Sequence, residues 1–90
     1  MRNKSIDFLT ELLILSAHKF RLGIEAEGSS LFRECINLLE VILNTPTINT
    51  DKLNILLPEI LAAQERFDWL SLADYLEYEL PVQLSHLLEN

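Results

Sequence analysis

Ninety residues carry 14 acidic and 7 basic side chains, a formal charge of −7, and are 49% hydrophobic. Such a length makes one domain, residues 1–90, which buries roughly 60–65% of its unfolded surface and so folds alone with little stability to spare. The charge repels polyanions and argues against nucleic acid and anionic membrane as partners. No stretch approaches the ~18 uncharged apolar residues of a membrane span, and a lone Cys35 leaves no internal disulfide, which fits a reducing, cytoplasmic compartment.

The first helix is expected from about Ser5 to about Glu27. Ser5 suits the N-cap, Asp7 lies where the helix dipole favours an acid, and Gly28 can supply the left-handed residue that ends it. A break near Gly23 is the alternative. Arg2 and Lys4 before an apolar run imitate a secretion signal. Asp7 and Glu11 interrupt that run, however, and Leu15 stands where a small residue should precede Ala17, so the segment reads as part of the domain.

The second helix is expected from about Ser30 to about Leu43, capped by Ser29 or Ser30. Its broad stripe is Leu31, Phe32, Cys35, Ile36, Leu38, Leu39, Ile42 and Leu43, with Arg33, Glu34, Asn37 and Glu40 on the wet face. Cys35 falls inside the stripe as a buried thiol. Turn residues follow from Asn44 to Asn49. A third helix is expected from about Asp51 to about Arg66, with Leu53, Leu56, Leu57, Ile60, Ala63 and Phe67 sharing a face and Pro58 opposite it, where a kink is the usual accommodation.

Asp68 is a good N-cap for a fourth helix reaching about Leu88, with Trp69, Leu72, Ala73, Leu76, Leu80, Leu84 and Leu87 as its stripe and Pro81 on the far side as a kink or the start of a last short helix. The short link at Phe67 implies an antiparallel hairpin of the third and fourth helices. No run alternates with period two, so the expected fold is all-α, an up-down bundle of about four helices.

Helix 1 carries two apolar faces. Ile6, Leu9, Ala17, Phe20 and Ile24 fall within about 40° of Leu13 on the helical wheel, an ordinary core stripe. Phe8, Leu12, Leu15, Leu22 and Ala26 make a second stripe roughly 140° away, interrupted only by Lys19, whose stem can lie along apolar surface. A helix apolar on two sides is either central or covered by a second molecule. Helices 1 and 4 are also longer than helices 2 and 3, so Ile6, Phe8, Leu12, Leu84, Leu87 and Leu88 would protrude together. Phe8, Leu12, Leu15 and Leu22 are therefore the expected interface of a homodimer.

Metal and catalytic chemistry find little support. A di-metal carboxylate bundle needs Glu-x-x-His pairs, but Gln83 precedes His86 and Leu15 precedes His18 at that spacing. Asp74, Glu77 and Glu79 diverge on the wheel. No phosphate-binding glycine loop or nucleophile elbow is present. No cofactor, metal ligand or catalytic residue is expected. On the outer side of helix 4, Asp74, Tyr75, Glu77, Tyr78 and Val82 bring tyrosines beside carboxylates, a common protein-recognition surface.

The segment Ala63-Gln64-Glu65-Arg66-Phe67-Asp68-Trp69, with Leu72-Ala73-Asp74-Tyr75-Leu76-Glu77-Tyr78-Glu79-Leu80, resembles the closing hairpin of small bacterial all-helical proteins with an AQExxD(Y/W)xxLADxLEYEL pattern. The resemblance implies a bacterial origin and carries over no activity and no functional residue. The expected function is a non-enzymatic protein–protein interaction module, an adaptor or small acidic chaperone, homodimeric through helix 1. The alternative is an inhibitor, immunity protein or antitoxin that caps a basic partner with Asp74, Tyr75, Glu77 and Tyr78.

Overall fold

Apolar residues recurring every three or four positions fold into helices that bury those stripes against one another. The computed structural model describes residues 4–46 and 48–87: α1 (Lys4–Arg21), α2 (Glu25–Leu43), α3 (Asp51–Glu65), α4 (Trp69–Asp74), a π-helical turn (Tyr75–Glu79) and α5 (Leu80–His86). The last three run on without a gap as one rod, so four helical rods make an all-α bundle, and no strand occurs among the described residues. Leu88, expected at the end of the last helix, lies outside the described residues.

α1 is the hub. It packs against α2, α4, the π turn and α5, while α3 packs on α4 and α5. The inner stripe of α1 is buried at Ile6, Leu9, Leu13, Ala17 and Phe20, facing a core completed by Phe32, Cys35, Leu39, Leu53, Ile60, Ala63, Leu72, Leu76, Leu80 and Leu84. Ser16 is the one buried polar side chain among the described residues, and its hydroxyl donates to the Gly28 carbonyl at 2.8 Å.

The first helix ends earlier than the reading to Glu27. Gly23 takes φ +79°, its N–H bonds Phe20 O, and Ile24 N–H bonds Lys19 O, which is the Schellman pattern of a left-handed C-terminus. α2 then starts at Glu25, so Ser29 and Ser30 lie inside it and are not caps. Gly28 is not a terminator but a buried residue of α2 lying against the Phe20 ring. The early ending removes Ile24 and Ala26 from the wheel of α1, and both are exposed.

The same hydrogen-bond pattern closes α3. Phe67 N–H bonds Gln64 O and Asp68 N–H bonds Ala63 O, with Phe67 at φ +57°. Phe67 was expected on the core face of helix 3, but this left-handed position turns it outward, 73% exposed, with its ring edge on Trp69 at 5.7 Å. Asp68 caps α4, accepting from Ser71 N–H at 3.2 Å. The Ser71 side chain first, then its backbone N–H, and after them the field of Arg66, hold the Asp68 carboxyl below its ordinary range.

Pro58 sits on the exposed side of α3, which runs on through it, so the hydrogen bond it cannot donate is lost on the wet face. Pro81 follows the π turn, in which Leu80 N–H reaches back five residues to Tyr75 O. Leu72, Leu76, Leu80 and Leu84, spaced by four, would drift about 120° around an ideal α-helix. The wider π turn takes back part of that drift, and all four are fully buried.

Candidate functional site

α3 and the α4–α5 rod lie side by side, residue numbers rising along one as they fall along the other. Lys52, at the start of α3, lines a pocket with Gln83, His86 and Leu87 at the end of the rod, and Glu59, further along α3, acts on Tyr75 of the rod. Between them runs a groove of about 450 Å³ lined by Lys52, Ile55, Leu56, Glu59, Tyr78, Glu79, Val82 and Gln83. Leu56 packs down onto the core at its floor, while Ile55, Tyr78 and Val82 stand 72%, 58% and 50% exposed around it. The π turn and Pro81 set where Tyr78 and Val82 emerge from the rod. Such turns are frequent at functional positions.

Of the five residues expected to form a partner surface, Asp74, Tyr75 and Tyr78 line one pocket with Ser71 and Glu79. Asp74 and Glu77 are gathered by Arg21 at the end of α1: its Nη2 donates to Asp74 Oδ1 at 2.8 Å and its Nε to Glu77 Oε1 at 3.1 Å. The guanidinium also lies 5.8 Å from the Tyr78 ring centroid, and His18 Nε2 comes within 3.8 Å of Glu77 Oε1. The hydrogen bond to Asp74, and next that to Glu77, raise the Arg21 pKa above its ordinary value. Arg21 thus offsets one of these two negative charges within the chain. Tyr75 is half-buried at the core edge, its hydroxyl toward Glu59. Burial, then the charges of Glu59 and Glu79, push that hydroxyl upward, with Arg66 pulling more weakly the other way. Only Tyr78 and Val82 reach the groove.

The four residues expected at a dimer interface differ in exposure. Phe8 and Leu15 remain 55% and 44% exposed on α1, whereas Leu12 between them is half-buried against the core. Leu22, 72% exposed, directly follows the last residue of α1, and its N–H still bonds His18 O at 3.0 Å.

Arg21, Ile55 and Glu59 were not singled out in the sequence, and Leu56 was expected only on the core face of the third helix. Ile55 did carry a signal, a large apolar side chain off the stripe of its helix and one turn from an acid. Arg21 had none, since Asp74 and Glu77 are 53 and 56 residues away. Cys35 is buried, and burial, then the charge of Glu34, push its thiol up to about 12, so it is protonated and unreactive at neutral pH. Among the described residues no three His, Cys, Asp or Glu side chains gather as a metal shell, and no helix is long and apolar enough to cross a membrane.

Fold and surface together define a small, acidic, all-α bundle that carries an apolar groove with charged ends. Comparison with family models, curated proteins and solved structures finds no match.

Proposed function

We propose that this protein is a non-enzymatic protein–protein interaction module of the cytoplasm, an adaptor or small acidic chaperone, and that it docks a partner in the groove between α3 and α5. One observation carries the reading: Ile55, Tyr78 and Val82 are left in water together around the half-buried Leu56. Each large apolar side chain withdrawn from water contributes about 1.5–3 kcal/mol, so a partner covering this cluster gains substantially. The inhibitor reading has less support, because Asp74 and Glu77, the acids it assigns to a basic partner, already hold Arg21.

The test is selection of a displayed library of helical peptides on the wild type and on an Ile55→Asp/Val82→Asp variant. Both positions are exposed, so the variant keeps its fold, which circular dichroism checks. Enrichment on the wild type and its loss on the variant are expected. Equal enrichment on both would refute the groove as the docking face.

A second reading concerns self-association. Phe8, Leu15 and Leu22 are exposed along α1 and its C-terminus, with Leu12 half-buried between the first two, which favours a homodimer through this face.

A further inference from the structure

The groove has a polar axis. Along α3 the order is Lys52, then Ile55 and Leu56, then Glu59; along the opposite wall it is Gln83, Val82, then Glu79 and Tyr78. One end therefore carries two carboxylates and the other one ammonium. Among the described residues neither Glu59, Glu79 nor Lys52 takes part in an ion pair. The nearby acids Asp74 and Glu77 are claimed by Arg21. No Lys or Arg follows Arg66, so the rod supplies no cation of its own to Glu79. Burial first, and then the charges of Glu59 and Glu79, raise the Tyr75 hydroxyl at this end.

Resting on the groove as the docking face, we propose that its occupant is a short basic amphipathic helix of another protein, with a Lys or Arg seated between Glu59 and Glu79. Lys52 to Glu59 spans seven steps, about 10 Å at 1.5 Å per residue, or two helical turns. A helix laid along that length presents apolar residues three or four apart to Ile55, Leu56 and Val82, and its cation falls one turn beyond the last of them. The apolar contacts supply most of the affinity. The charged end fixes direction and rejects acidic helices, because rim charges set specificity and encounter rate more than strength. The overall charge of −7 acts in the same sense by drawing basic partners in.

The experiment uses the full chain and a displayed library of 14-residue helical peptides, with Leu fixed at helical spacing and the other positions drawn from Lys, Glu, Gln and Ala. A peptide copying residues 4–21 is included. Wild type, Ile55→Asp/Val82→Asp and Glu59→Lys/Glu79→Lys proteins serve as baits. Peptides enriched on the wild type should carry Lys one turn past the last Leu and bind about tenfold tighter than counterparts with Glu there, the scale of two partly exposed ion pairs. On Glu59→Lys/Glu79→Lys the preference should reverse. Groove-dependent enrichment that ignores peptide charge would overturn the basic occupant and leave the docking face standing. Loss of all groove-dependent enrichment would overturn both. If the residue 4–21 peptide outcompetes every other, the occupant is a second copy of this chain, which also overturns the proposal.

Discussion

Replacing Gly28 by Ala tests the packing at the crossing of α1 and α2. In an open helix interior this change gains about 1 kcal/mol, because Ala restricts the unfolded chain and suits the helix. Here the new Cβ would stand 2.9 Å from Phe20 Cδ1 and Cε1 and 3.1 Å from Cγ. The ring has little room to retreat, since its other face stacks on Trp69 with centroids 5.0 Å apart and planes 3° from parallel. α2 cannot lift away without stretching the buried bond from Ser16 to the Gly28 carbonyl. Overpacking of this kind costs about 1–3 kcal/mol, and disturbing the aromatic stack about 0.5–1.5 kcal/mol more. Set against the helical gain, the net expectation is a loss of about 0.5–3.5 kcal/mol, each kcal/mol lowering Tm by about 4–8 °C in a domain of this size. Urea unfolding followed by the fluorescence of Trp69, the chain's single tryptophan, measures it beside the site. In a Phe20→Leu background the penalty should largely disappear, giving a coupling on the scale of that penalty in the double-mutant cycle. A Gly28→Ala protein as stable as wild type, or strictly additive single effects, would refute the wedge.

Phe67 and Gly23 hold equivalent left-handed positions, so opposite effects are expected. Phe67→Gly should stabilise by about 1 kcal/mol less whatever its edge contact with Trp69 supplies, and Gly23→Ala should destabilise by about 1–2 kcal/mol, with no atom within 4 Å of the added Cβ to complicate it. Denaturant midpoints decide, and a more stable Gly23→Ala would contradict the assignment. Cys35 should resist iodoacetamide at pH 8 in the native state and react once urea unfolds the chain; rapid native labelling counts against its burial. Its folded-state pKa of about 12 lies above the ordinary 9.0. The stability it contributes is therefore complete below pH 9 and declines between pH 9 and 12, as the unfolded thiol gives up its proton and the folded one does not. Cys35→Ala should flatten that part of the pH profile. For self-association, wild type should sediment as a dimer at high concentration and Phe8→Lys/Leu15→Lys as a folded monomer. A monomeric wild type ends that reading.

Much of the architecture was legible along the chain because a helical stripe is a local property. Leu9, Leu13, Ala17 and Phe20, or Leu72, Leu76, Leu80 and Leu84, announce their buried face through spacing alone, and Asp68 announces a cap by preceding such a stripe. Where α1 stops was not local. Gly23 and Gly28 are equally able to end a helix, and the choice falls on Gly23 because Gly28 is needed, without a side chain, where Phe20 and Ser16 meet α2. Phe67 fits the stripe of α3 by phase and leaves it because the chain must reverse within three residues, which only a left-handed step allows. The groove was likewise beyond the sequence. Ile55 reads as an isolated exposed residue until Tyr78 and Val82 are brought beside it, and Asp74 and Glu77 read as free acids until Arg21 reaches them from α1. Period and composition choose which face of each helix goes inward. Which helices then become neighbours depends on side-chain volumes and charges that meet only after the chain has folded, and that neighbourhood decides which surface is left to bind anything else.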